Sequence, residues 1–212
     1  MYQQFGKRTL DILLATIILV LTLPATIFVA IAIRAESKGS PLFTQMRTGR
    51  GGGEFKLKKF RSMTVDNDVR DLTKGNQVTK VGKFIRSTSL DEIPQLINVI
   101  KGDMSFIGPR PWIPEYYTHM NSEQRQRVDV RPGITGLAQA KGRNALSINA
   151  KINYDLEYVR DISLKEDVKV IVLTLMTFFE KAENAIDKHG IEKELATLRA
   201  QDSELLSGGG AY

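Results

Sequence analysis

Hydrophobic and polar positions divide the chain into stretches of distinct character. From Ile12 to Ile33 no charged residue interrupts an apolar run. At a rise of about 1.5 Å per residue, a helix over this run would cross a hydrocarbon core of ~30 Å. It reads as a membrane helix and not as a cleaved signal, because it is long for one and no small-x-small site ends it. Pro24 stands near the middle, where it removes a backbone donor and crowds the preceding turn, so a kink is expected. A spanning helix also tolerates such a proline. Lys7 and Arg8 precede the run, and Arg34, Lys38, Arg47 and Arg50 follow it. Basic flanks stay on the cytoplasmic side, so positive charge at both ends favours a helix that enters one leaflet and returns. On the pattern alone, spanning and re-entrant helices stand equal.

After a turn cluster at Ser37-Lys-Gly-Ser-Pro41, short strands are expected over Leu42 to Gln45 and Glu54 to Phe60. The glycine-rich loop Arg47-Thr-Gly-Arg-Gly-Gly-Gly53 between them predicts a hairpin. No Gly-Lys-Ser/Thr follows the glycines, which excludes a Walker loop and favours a hairpin tip over a phosphate cradle. Val65 to Gln77 is polar and reads as a loop. Ser89-Leu-Asp-Glu92 fits a capping box ahead of a helix with Ile93, Leu96, Ile97 and Ile100 at helical spacing, ending at Gly102. Ser163-Leu-Lys-Glu166 fits a second box, ahead of an apolar helix over Val168 to Phe179. That helix is too short to span, so it packs in the core or lies at an interface. From Glu180 the chain turns charged. Ile186, Ile191, Leu195 and Leu198 form a weak amphipathic pattern, and Ser207 to Tyr212 is expected to be disordered.

Composition narrows the chemistry. There is no cysteine, which excludes disulfides and thiolate metal sites, and the two histidines, His119 and His189, stand apart. A histidine metal site or a Ser-His-Asp triad is therefore not expected. A net charge of +6 implies an anionic partner, whether nucleic acid, acidic lipid or a phosphorylated substrate. Lys56, Lys58, Lys59 and Arg61 make a basic stretch interleaved with Phe55 and Phe60, suited to a solvated strand face or to headgroups and phosphate.

The adjacent acids Asp91 and Glu92 are the sharpest candidate. They are ordinary first-turn acids favoured by a helix dipole, or they are chemistry. A helix N-terminus would hold Asp91 ionised and gather anions. An ionised carboxylate can attack phosphorus to form an acyl phosphate. Arginine forks suit phosphate oxygens, and Mg²⁺ would screen the nucleophile from an anionic substrate. Three later loops also carry basic residues among prolines and glycines: Gly108-Pro-Arg-Pro111, Arg131-Pro-Gly-Ile-Thr-Gly136 and Gln139-Ala-Lys-Gly-Arg-Asn144.

These motifs, in this number and order, strongly resemble the bacterial sugar transferase family, the monotopic polyprenyl-phosphate phosphoglycosyl transferases, and in particular its small single-domain members. The matching runs include Lys7-Arg8 with Asp11, Phe43-Thr-Gln45, Lys59-Phe60, Arg86-Ser87, Ser89-Leu-Asp-Glu92, Lys101-Gly-Asp-Met-Ser105, the Gly108 and Arg131 loops, and Gly142-Arg-Asn144. The resemblance covers about residues 1 to 180. It implies transfer of a sugar-1-phosphate from a UDP-sugar to undecaprenyl (polyprenyl) phosphate, with release of UMP, through an aspartyl phosphosugar.

Carried onto this chain, the resemblance makes Asp91 the nucleophile and Mg²⁺ ligand, with Glu92 its partner and the base that readies the lipid phosphate. Lys59, Arg86, Arg110 and Arg143 match basic positions that hold phosphate or nucleotide. The implied partners are the UDP-sugar, polyprenyl phosphate and membrane lipids, with no nucleic acid, and beyond these a second copy in a homodimer or the glycosyltransferases acting later on the same lipid. The implied location is the cytoplasmic face of the bacterial inner membrane.

The expected fold is α+β and mostly α: a membrane helix kinked at Pro24, which the resemblance implies is re-entrant, a small β-hairpin and several helices at the membrane interface. The expected domains are 1–36 for that helix, 37–180 for the catalytic part, and 181–212 for a charged helix and disordered tail. The chain departs from relatives at Leu23-Pro24, where several have Ser-Pro, and at Leu137, where many have Trp. A basic membrane-anchored binding module without chemistry, and a structural protein acting through its tail, are the competing classes.

Overall fold

The computed structural model describes residues 2–64, 78–142, 145–179 and 196–198. The expected loop over Val65 to Gln77 and most of the charged tail lie outside them. The chain forms two compact units, one built from residues 9–45 and 56–102, the other from 1–8, 46–55 and 103–212.

The first unit carries helix α1, Lys7–Glu36, which runs as one helix with Pro24 inside it. Its middle is apolar and exposed at Ile12, Leu13, Leu14, Ile17, Val20, Leu21, Leu23, Ile27 and Phe28. Water does not favour such a surface. Its last turns find a core, where Val29 and Ile33 pack with Phe60 and Ile85, and nearer its start Asp11 and Ala15 are also buried. Polar groups fix this end. The Arg61 guanidinium donates to the carbonyls of Lys38 at 2.6 Å and Ser37 at 2.8 Å. The Glu36 carboxylate accepts from the backbone N–H groups of Lys80 and Val81, which open helix α2, Lys80–Ser87.

Strands β1, Leu42–Thr48, and β2, Glu54–Phe60, form the expected hairpin. β1 runs further than the sequence suggests, taking in Arg47 and Thr48. Helix α3, Gln95–Lys101, is pinned to β2 by Asn98, whose side chain accepts from Lys58 N at 3.1 Å and donates to Lys56 O at 2.9 Å. It stops where expected, at Gly102, whose φ of 97° is left-handed.

The second unit holds the hairpin tip and a mainly helical body. Strands β3, Ser105–Ile107, and β4, Gly133–Thr135, pair in parallel with Ser105 opposite Gly133 and Ile107 opposite Thr135. This short sheet was not anticipated. Around it stand α4 (Pro114–Thr118), α5 (Ser122–Arg125), α6 (Leu137–Lys141), α7 (Ile148–Arg160) and α8 (Leu164–Phe179). One core gathers Ile107, Leu137, Ala140, Tyr158 and Val170; another gathers Tyr116, Met120, Ile148, Ile152 and Leu156, joined by Leu198 from the tail. Lys7 and Tyr2 both donate to Asp167 of α8, and the Tyr158 hydroxyl donates to its other oxygen. The second capping box forms by half: Ser163 Oγ accepts from Glu166 N at 3.2 Å, while Glu166 itself pairs with Lys169.

Candidate active site

Asp91 and Glu92 lie on a 3₁₀ turn, Leu90–Glu92, between α2 and α3. The expected capping box is not formed. Ser89 takes a left-handed backbone at φ 57° and its side chain caps nothing. Pro94 is the residue that precedes α3, so Asp91 is not on the first turn of that helix. The local Ser-x-x-Glu signal misleads here because Thr88 ends α2, leaving Ser89 to reverse the chain instead of starting a helix. A non-glycine residue in this region costs energy, and such outliers gather at functional sites.

The turn delivers both acids to cations from neighbouring elements of the same unit. Lys59, near the end of β2, pairs with Glu92 at 2.7 Å, both side chains being largely buried at 21 % and 25 % exposure. Arg86, on the last turn of α2, is held by its Nε donating to Ser62 Oγ at 2.7 Å. Burial pushes the Asp91 carboxyl above the usual aspartate range; Lys59 pulls it down, Glu92 pushes it up further, and Arg86 pulls it down. Burial in turn lowers the Arg86 guanidinium, against the opposing effect of Asp91. The helix-end device expected to keep Asp91 ionised is therefore replaced by two side-chain cations that do so only in part. The result is a partly desolvated carboxylate under the opposing influence of Lys59 and Arg86, two residues after the left-handed Ser89, the environment of a reactive group.

Of the six residues singled out from sequence, Lys59, Arg86, Asp91 and Glu92 thus come together in one unit. Arg143 lies outside the described residues. Arg110 belongs to the other unit, exposed on the loop after β3. Two of the proline-glycine loops meet in that unit. A Cβ at Gly108 would stand 2.4 Å from Arg131 O, and one at Gly133 would stand 2.2 Å from Gly108 N, so the glycines of both motifs serve close backbone contact. Arg47 is partly buried nearby. Its guanidinium is pulled down to about 10 by burial and by the charge of Arg110, against the opposing pull of Tyr116 and Glu115. Sequence reasoning missed Ser62 as the anchor of Arg86, and missed Arg47 as a neighbour of Arg110. Each partner lies far away along the chain, and nothing local marks it.

The fold, then, is a small α+β one carrying a membrane-length apolar helix and an acid–cation cluster on a tight turn. The family model for bacterial sugar transferases matches residues 2–181, and the chain belongs to that family. It is 44 % identical over 185 residues to a UDP-glucose:undecaprenyl-phosphate glucose-1-phosphate transferase of Klebsiella pneumoniae, covering 82 % of this chain and 40 % of the relative. It is 38 % identical over 181 residues to a protein of the same name from Caulobacter vibrioides, covering 80 % and 68 %. To a UDP-galactose-lipid carrier transferase of Erwinia amylovora it is 35 % identical over 192 residues, covering 81 % and 40 %. The chain thus spans about two fifths of the Klebsiella and Erwinia relatives.

Proposed function

We propose that this protein is a phosphoglycosyl transferase that moves a sugar-1-phosphate from a UDP-sugar to polyprenyl phosphate, with Asp91 as covalent carrier. The observation that carries this reading is the half-buried Asp91 held beside Arg86 and the Lys59–Glu92 pair on a strained turn. An Asp91 oxygen attacks the sugar-bearing phosphorus, and the bond to the bridging oxygen breaks. UMP leaves with that electron pair. An oxygen of polyprenyl phosphate then attacks the same phosphorus, the acyl phosphate bond breaks, and the Asp91 carboxylate is restored. Nothing is oxidised or reduced, and two modest barriers replace one large one.

Lys59 and Arg86 stabilise the charge that grows on the phosphoryl oxygens. When the incoming phosphate takes over Lys59, Glu92 is released to accept the remaining proton of the lipid phosphate. Among the described residues no group of three or more acidic or histidine ligands gathers. Mg²⁺ keeps most of its waters and binds through one or two carboxylates together with substrate phosphates, a role the adjacent Asp91 and Glu92 suit. Asp91, with Glu92 beside it, would hold the ion, which would screen carboxylate from phosphate and stabilise the leaving diphosphate oxygen.

We further propose that α1 is re-entrant and holds the active site at the cytoplasmic face. Its exposed apolar middle and the basic residues at both ends support this. The chemistry is tested with the full chain in lipid nanodiscs, Mg²⁺, undecaprenyl phosphate and a panel of UDP-hexoses. Asp91→Asn should abolish UMP release while leaving nucleotide binding. A mutant that still releases UMP at the native rate would refute Asp91 as carrier.

A further inference from the structure

In the second unit, a buried ion pair stands behind the Arg110 loop. Arg127 and Asp155 are each 2 % exposed, and they meet through Arg127 Nη2 at 2.6 Å and Nε at 3.0 Å, both to Asp155 Oδ2. A pair this deep contributes little net stability, because desolvating both ions offsets their attraction. What an apolar pair could not supply is the guanidinium's reach. Arg127 Nη2 also donates to the Arg110 carbonyl at 2.8 Å, and its Cζ stands 3.9 Å from the Trp112 ring centroid. It therefore grips the chain on both sides of Pro111.

The rest of the loop is held in the same way. Gly133 N donates to Pro109 O at 3.0 Å, Arg47 Nη1 reaches Pro111 O at 3.5 Å, and Thr48 N donates to Trp112 O at 2.9 Å. Four successive carbonyls, 109 to 112, thus have donors, and the two prolines have no N–H to satisfy. The Arg110 side chain is exposed, on the rim of a cleft that Thr48, Gly49, Val130 and Arg127 also line. A backbone held at every carbonyl presents the exposed arginine from a preorganised platform.

We infer that Arg127, braced by Asp155, is a positioning residue that sets Arg110 to bind a substrate phosphate group. This rests on the proposed function and on the expectation, carried by the family resemblance, that Arg110 holds phosphate or nucleotide. The test is steady-state kinetics of the full chain in nanodiscs, with varied UDP-sugar and saturating lipid. Arg110→Ala should raise KM about tenfold or more, as loss of a charge-assisted phosphate contact does. Arg127→Met alone strands a buried carboxylate and risks misfolding, so the main variant replaces the pair, Arg127→Met with Asp155→Leu.

The pair replacement should keep a cooperative thermal transition and raise KM roughly fivefold or more, with kcat within about twofold, as misplaced binding groups do. Arg127→Lys, which keeps the charge but loses the fork, should fall between. In the Arg110→Ala background the pair replacement should add nothing further to KM. Independent, multiplicative effects would overturn the positioning role while leaving Arg110 as a phosphate contact. An unchanged KM in Arg110→Ala itself would overturn both this inference and the role given to Arg110, whereas absence of transfer from any UDP-hexose would overturn the proposed function beneath them.

Discussion

In the proposed reaction Asp91 is the nucleophile, and its burial also costs stability. Folding favours its protonated form, because burial raises the carboxyl above its unfolded value. The stabilising contribution of that protonated form is complete below the unfolded pKa and is lost as pH rises through the raised folded pKa, so at neutral pH the ionised group works against the fold. Asp91→Asn is therefore expected to melt at a higher temperature than the native chain at pH 7, with the gain vanishing at acidic pH where both carry a neutral side chain. Thermal melts across pH 4 to 8, taken as an approximate range around the carboxylate region, read this directly; equal melting at pH 7 would contradict the strain. Activity should fall towards acid as the nucleophile protonates. The pair itself was legible in the sequence, as was its company of Lys59 and Arg86. Its electrostatics were not. A four-residue capping signal pointed to a helix end, whereas a left-handed Ser89 and the tertiary pairing of Glu92 with Lys59 decided the geometry.

Among the elements, α2 aims Arg86. Its Gly82 lies so close to the preceding segment that a Cβ would stand 2.0 Å from Ser62 O, and Ser62 Oγ is the acceptor that holds Arg86 Nε. Gly82→Ala should push the helix off Ser62 and lose activity by about tenfold or more, as displacements near 1 Å do. Ser62→Ala removes the hydrogen bond alone and should cost stability by only about 1 kcal/mol. Turnover and thermal melting of the two variants separate the effects; a fully active Gly82→Ala would contradict the role of α2. The hairpin and the stop of α3 at Gly102 were readable because strand alternation and a glycine cap are local signals. Strands β3 and β4 are three residues each and gain their meaning only from a partner distant in sequence, so no periodicity announced them. The glycines and prolines that looked like phosphate loops proved in part to be the backbone junction between those strands.

In the whole molecule a membrane-length helix accompanies an acid–cation site. A re-entrant α1 predicts that both of its ends meet the cytoplasm. The chain has no cysteine, so single cysteines placed at Gln3 and at Lys38 report cleanly. Both should react with an impermeant maleimide only after the inner membrane is opened. Labelling of one from the periplasm would show a spanning helix. In the proposed reaction Asp91 carries the sugar phosphate. It is tested most directly by mixing the purified chain with Mg²⁺ and a UDP-hexose in the absence of any lipid acceptor, quenching in acid, and measuring intact mass. One hexose-phosphate should be added per chain, located at Asp91 by peptide mapping, absent in Asp91→Asn and discharged on adding polyprenyl phosphate. An unmodified chain that nonetheless releases UMP once lipid is supplied would contradict it, pointing instead to direct transfer between the two substrates.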